Sequence, residues 1–253
     1  MTTTPQQRSQ DGQRAAHLTI EDLGTTVGIW AHPDDETYLA GGLFAALRDA
    51  GQRVVCVTAT RGDAGNGLHD GGTEAERSSL ARMRTAELAD ALGVLGVFEH
   101  RWLDYVDTRC GDVDAQQAAD RLLSILTEVR PDTVVGFGPD GFTGHRDHQA
   151  VANWTSLAVD RCRPRPRLLQ AVATAGDLAD GRDVDERFDV FALGSPPTVD
   201  EADLAVRLVL EGRAQRRKAE ALLRQRSQTA DLVDAIGLQR FSRWVRTECF
   251  REA

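Results

Sequence analysis

The run Ala31-His32-Pro33-Asp34-Asp35-Glu36 places four ionisable side chains in five positions. Three adjacent carboxylates repel one another, which costs stability unless a cation or a helix N-terminus offsets it. Capping a helix accounts for one or two of these acids but not for the histidine as well. A second group, Gly144-His145-Arg146-Asp147-His148, sets two histidines around an aspartate. Imidazole and carboxylate are the donors zinc takes when one coordination position stays open for chemistry. Together the two groups point to a metal site centred on His32, Asp34, Asp35 and His148.

Short apolar runs must hold these groups in place. Residues 25–31 (TTVGIWA), 53–60 (RVVCVTAT) and 132–138 (DTVVGFG) are β-branched and brief, as strands buried on both faces are. Residues 97–103, 168–173 and 204–210 are further strand candidates. Between them lie helical patterns. One covers 36–50 and stops before Gly51, and another is opened by a Thr73/Glu76 capping box and runs to about Gly93. A third covers 115–130 and stops at Pro131. A fourth covers 213–225, and 175–203 reads as an insertion or a long connection without periodicity. The alternation predicts an α/β fold of Rossmann-like type, a mostly parallel sheet with helices on both faces. Ligands then bind beyond the carboxyl ends of the strands. Both groups fall there, the second in a loop after 132–138.

The chain has 253 residues, of which 41% are hydrophobic and 27% charged, so a core of ordinary size needs no disulfides. Residues 1–20 read as a disordered tail and 21–253 as one domain. The net charge of −9 argues against nucleic acid and anionic membranes as partners, and the Arg-rich runs lack interleaved aromatics. No apolar stretch is long enough to span a membrane. The N-terminus lacks a secretory apolar region, so the expectation is a cytoplasmic protein. Its four cysteines are widely spaced and expected to be reduced.

The HPDDE run with a later HRDH resembles the PIG-L/LmbE family of zinc-dependent N-deacetylases and amidases. That family includes deacetylases of glycosylphosphatidylinositol, mycothiol and bacillithiol biosynthesis and antibiotic-tailoring enzymes. Further parts are similar: Thr60-Arg61-Gly62-Asp63-Ala64-Gly65 to its T-x-G-E-x-G loop, Arg84-Thr85-Ala86-Glu87 to its R-x-x-E helix, and Lys218 with Ser227-Gln228 to its K…H-x-S-Q tail. Gln225 stands where that histidine is usual, and Asp63 where glutamate is. The resemblance implies that His32, Asp35 and His148 bind one zinc ion per chain, with iron(II) as a substitute. It also implies Asp34 as general base and His145 as oxyanion stabiliser or acid. Asp147 would orient an imidazole, and Arg84, Asp104 and Asp63 would contact the sugar.

The expected activity is hydrolysis of the acetamide of an N-acetylglucosamine-type sugar in a small metabolite or glycoside. A homo-oligomer is compatible with it. One alternative is an amidase cleaving a thiol conjugate or a longer N-acyl amide. Another, of a different class, is a non-catalytic Rossmann-like ligand-binding module. Against the latter, HPDDE follows the first strand where a dinucleotide binder needs G-x-G-x-x-G.

Overall fold

The computed structural model describes residues 17–65 and 72–253. Most of the expected N-terminal tail and residues 66–71 lie outside the described residues. Of the tail's last residues, Leu18 donates its N–H to the Ala205 carbonyl at 2.7 Å and packs against the core.

Strands β1 (Thr26–Trp30), β2 (Val54–Thr60), β3 (Glu99–Tyr105), β4 (Thr133–Phe137) and β5 (Arg167–Val172) are parallel. Two more, β6 (Val206–Val209) and β7 (Thr247–Glu252), complete a sheet of order β3-β2-β1-β4-β5-β7-β6. Here β7 runs antiparallel to both β5 and β6. Every residue of β1, β2 and β4 is buried, which is why these segments read as continuous apolar runs rather than alternating ones. The chain winds from β1 out to β3, then returns to place β4 on the other side of β1. That reversal opens a crevice at the carboxyl ends of β1 and β4.

Helices α1 (Asp35–Asp49), α2 (Glu74–Leu95) and α6 (Gly212–Arg224) pack together. Helix α3 (Ala115–Val129) packs with α4 (Arg146–Arg161). Helices α5 (Ala175–Phe188), α7 (Arg226–Ile236) and α8 (Leu238–Trp244) complete the set. The Thr73/Glu76 capping box forms as expected, and α2 ends on Gly96 in the left-handed region. Among the described residues no helix is long and apolar enough to cross a membrane. All four cysteines are buried and free.

The structure corrects the sequence reading in three places. The segment 175–203 is not structureless, since it opens with α5. Thr174 and Asp177 cap that helix reciprocally, with aspartate where a capping box usually has glutamate. Only Gly181 and Val184 of α5 are buried, so its apolar period is faint. The segment 144–148 is not a free loop, because it enters α4. The run 204–210 yields the short edge strand β6, and its antiparallel partner β7 was not anticipated.

Candidate active site

Each of the two groups sits where a strand turns into a helix. After β1 the chain passes through 31–34 into α1, so Asp34 is the N-cap and Asp35 opens the first turn. After β4 it passes through 138–145 into α4, with His145 as N-cap and Asp147 and His148 in the first turn. Both helix N-termini therefore face one crevice, and their unpaired N–H groups favour the carboxylates crowded there. The turn into α4 needs glycine at 144, which has φ 74°. A Cβ there would lie 2.3 Å from the Leu193 carbonyl oxygen. Asp34 is the reverse case, a side-chain-bearing residue held at φ 131° and ψ −33°. Such strain persists where surrounding structure enforces it, and it collects at functional sites.

Three donors converge. His32 Nδ1 and His148 Nε2 are 3.1 Å apart. Asp35 Oδ1 lies 3.3 Å from His148 Nε2, and Asp35 Oδ2 lies 3.6 Å from His32 Nδ1. Donors on a tetrahedral zinc with bonds of about 2.0–2.1 Å are separated by about 3.3 Å; the two nitrogens and Asp35 Oδ1 offer that donor set, while Asp35 Oδ2 also accepts the His32 backbone N–H at 2.8 Å. His145 is also near enough to form a cluster of three imidazoles with His32 and His148. However, its Nδ1 accepts the Asp147 N–H at 3.2 Å, which puts the ring proton on Nε2 and makes that atom a donor.

The far nitrogens of both candidate ligands are engaged. His148 Nδ1 lies 2.9 Å from the Gly141 carbonyl. His32 Nε2 lies 3.1 Å from Asp107 Oδ1 and 3.2 Å from Asp147 Oδ2. Asp147 also accepts the N–H groups of Thr108 (2.7 Å) and Cys110 (3.1 Å), and Asp107 accepts that of Ala64 (2.8 Å). Such partners fix the tautomer and orientation of ligand imidazoles. Sequence reading missed Asp107. Asp104, near the end of β3, and Asp107, in the loop after it, are three positions apart, and only burial, 4% exposed for Asp107, separates them.

Without a metal the cluster draws protons instead. Burial opposes an imidazolium at His32, but hydrogen bonds to Asp107 and Asp147 and the Asp35 charge outweigh it and raise its pKa to about 10. Burial likewise disfavours the Asp107 and Asp147 carboxylates, yet the His32 charge beside them holds both below the usual range. At His148 burial wins, pushing the pKa down to about 4, and it lowers that of His145 too. Both rings are neutral at pH 7. Burial also raises Asp34 to about 7, against the pull of Arg84.

Arg84 is buried on α2. Its Nη2 donates to the Pro33 carbonyl at 2.6 Å and lies 3.4 Å from Asp34 Oδ2. Its Nη1 donates to the Gly62 carbonyl at 2.9 Å. These bonds tie the turn that carries Asp34 to the loop after β2. Asp63 pairs with Arg77, and Asp104, with its side chain 61% exposed, pairs with Arg61. The structure thus brings His32, Asp34, Asp35, His145, Asp147 and His148 together, places Arg84 behind Asp34, and leaves Asp63 and Asp104 on the β2–β3 side.

Family-tail residues support α1 from below. Lys218 and Glu248 form a fully buried ion pair at 2.7 Å. Lys218 donates to the Tyr38 carbonyl, while Glu248 accepts the N–H groups of Gly42 and Leu43. Gln225 donates to Glu36 Oε1 at 2.9 Å, and Glu36 Oε2 accepts the Asp34 N–H at 3.0 Å. The residue standing in place of the family's histidine thereby reaches the Asp34 turn through Glu36.

A family model described as PIG-L, GlcNAc-PI de-N-acetylase, matches residues 27–159. A 1D-myo-inositol 2-acetamido-2-deoxy-alpha-D-glucopyranoside deacetylase of Kineococcus radiotolerans is 34% identical over 52% of this chain and 43% of its own length. The protein of the same name from Saccharomonospora viridis is 32% identical over 71% of this chain and 76% of its own. The chain therefore spans less than half of the first relative and about three quarters of the second. Among solved structures, the N,N'-diacetylchitobiose deacetylase of Pyrococcus horikoshii superposes with a TM-score of 0.66 at 22% identity, covering 96% of this chain and 87% of that one. A zinc-inhibited form of the teicoplanin deacetylase Orf2 gives 0.65 at 17% identity, covering 90% and 98%. Both share the fold. By sequence match across half its length and by relatives aligned over most of it, this chain belongs to the PIG-L family.

Proposed function

We propose that the protein is a zinc-dependent N-deacylase that hydrolyses the amide of an N-acetylglucosamine-type sugar in a small metabolite or glycoside. One convergence supports this: His32 Nδ1, Asp35 and His148 Nε2 meet at ligand spacing beside Asp34. The curated relatives, by their names, act on a 2-acetamido sugar joined to inositol. Four buried, free thiols suit a reducing compartment such as the cytoplasm.

His32, Asp35 and His148 would hold the ion. Zinc bound there would supply a Lewis acid and would bring the pKa of water toward about 7. Asp34, beside the three candidate ligands, takes the proton of the attacking water as general base. Strain and Arg84 hold its carboxyl in place. His145, with its proton on Nε2, serves as a hydrogen-bond donor to the developing oxyanion, and the proton taken up by Asp34 passes on to the departing amine. Asp107 and Asp147 keep His32 Nδ1 turned to the ligand position.

Zinc-loaded protein should release free amine from N-acetylglucosamine conjugates. A chelator should abolish turnover, and added zinc should restore it. Faster hydrolysis of acetylated peptides than of any amino sugar would overturn the substrate class.

A further inference from the structure

The two sides of the crevice differ in chemistry. On the β2–β3 side stand two ion pairs, Arg61 with Asp104 and Arg77 with Asp63. On the β5–β7 side lies a cavity of about 330 Å³ whose wall includes Asp34, Asp35 and His148 at one end. The rest of that wall is largely apolar, built by Tyr38, Phe142, Leu178, Phe191, Leu232 and Trp244. Tyr38 meets Trp244 edge-on at 5.9 Å, and Phe142 meets Phe191 at 6.3 Å. Beyond the metal end the wall carries two acids, Asp180 and Asp177, the latter committed to Thr174 and Arg207. An acetyl methyl group needs on the order of a tenth of this space. An apolar cavity of this size with convergent polar groups at one end is the usual form of a small-molecule site.

From this division we infer that the cavity receives the acyl half of the scissile amide and that the preferred acyl group is a medium-length alkyl chain, about eight carbons, rather than acetyl. The inference rests on the deacylase reading above. An amide carries its amine on one side of the carbonyl carbon and its acyl chain on the other. A sugar amine matched to the charged side leaves the acyl chain pointing into the apolar side. Water adds hydroxyl to the carbonyl carbon and the C–N bond breaks. The amine leaves with a proton, and the fatty carboxylate is the second product. Each buried methylene strengthens binding about fourfold, so even partial burial of the six extra methylenes of octanoyl gives at least a tenfold gain in kcat/KM.

The test compares amine release by the zinc-loaded full chain from N-acetyl-, N-butanoyl- and N-octanoyl-glucosamine, and from the octyl glycoside of N-acetylglucosamine. Octanoyl should exceed acetyl at least tenfold, with no comparable gain for the octyl glycoside. Leu178→Trp and Leu232→Trp, which fill the cavity from two different helices, should each lower the octanoyl-to-acetyl ratio tenfold or more. A preference for acetyl overturns the inference and leaves the deacylase reading standing. A gain confined to the octyl glycoside overturns it by assigning the cavity to the aglycone. No amine from any of the four overturns the deacylase reading and the inference with it.

Discussion

Replacing Asp34 with asparagine separates catalysis from stability, because the two should move in opposite directions. The variant keeps His32, Asp35 and His148, so zinc content should stay near one equivalent. It loses the proton acceptor, and kcat/KM should fall about 10²–10⁴-fold, or about 2.7–5.4 kcal/mol of barrier. Stability is read on the chelated protein. There the carboxyl titrates at about 7 in the fold against 3.8 in the unfolded chain, with burial as the main cause and Asp35 and Glu36 adding to it. Between those values the native state keeps a proton that the unfolded state has released, so stability falls as pH rises from 4 to 7 and levels off above. The full shift corresponds to roughly 4 kcal/mol, and charge sharing within the cluster reduces it to a few. Asparagine cannot ionise, and Arg84 retains its bond to the Pro33 carbonyl. Chelated Asp34→Asn should therefore match wild type near pH 4 and exceed it by a few kcal/mol at pH 8. Amine-release kinetics, elemental analysis and urea unfolding across pH measure all three quantities. Activity within tenfold of wild type, zinc loss, or an unchanged pH slope would refute the role assigned to Asp34.

Other substitutions probe the remaining layers. His148→Ala should lose zinc and turnover together, and retained zinc at full occupancy would remove His148 from the ligand set. Asp107→Asn should weaken metal affinity about 10–100-fold, as losing a ligand-orienting carboxylate does; metal titration by competition with a chelator checks this. Lys218→Met leaves Glu248 charged and buried, so thermal unfolding should show a loss of about 3–5 kcal/mol. An unchanged Tm would mean that Glu248 finds another partner.

The parts legible in the sequence are those whose signal is local. β1, β2 and β4 announced themselves because a strand buried on both faces has no polar period to disguise it. HPDDE was legible because helix capping does not account for three acids together with a histidine, and HRDH because it sets two histidines around an aspartate. The sequence hid whatever depended on distant partners. Asp107 reaches His32 only because β3 lies two strands from β1 and its following loop folds back over the strand ends. Strand β7, TECFRE, carries charge at both ends, and its Glu248 is buried only because Lys218 meets it from α6. For Arg84 the resemblance implied a sugar contact and said nothing of structural bonds. In the fold it braces Pro33 and Gly62, while Glu87 bonds Ser227.

Charge explains why these pieces form one unit. Asp35, Asp107 and Asp147 crowd around His32, Asp34 and Glu36 flank Asp35 in sequence, and Arg84 is the arginine that reaches Asp34 among the described residues. Two helix N-termini relieve part of the repulsion, each equivalent to roughly half a positive charge. The remainder shows in the titration pattern: His32 holds its proton to about 10, and Asp34 holds one to about 7. A divalent ion at the His32–Asp35–His148 triangle would supply that missing charge and displace the His32 Nδ1 proton. It would also lower the pKa of Asp34 and so ready the carboxylate as a base. Metal loading should therefore release protons and raise stability most above pH 7, where the metal-free cluster carries its largest uncompensated charge.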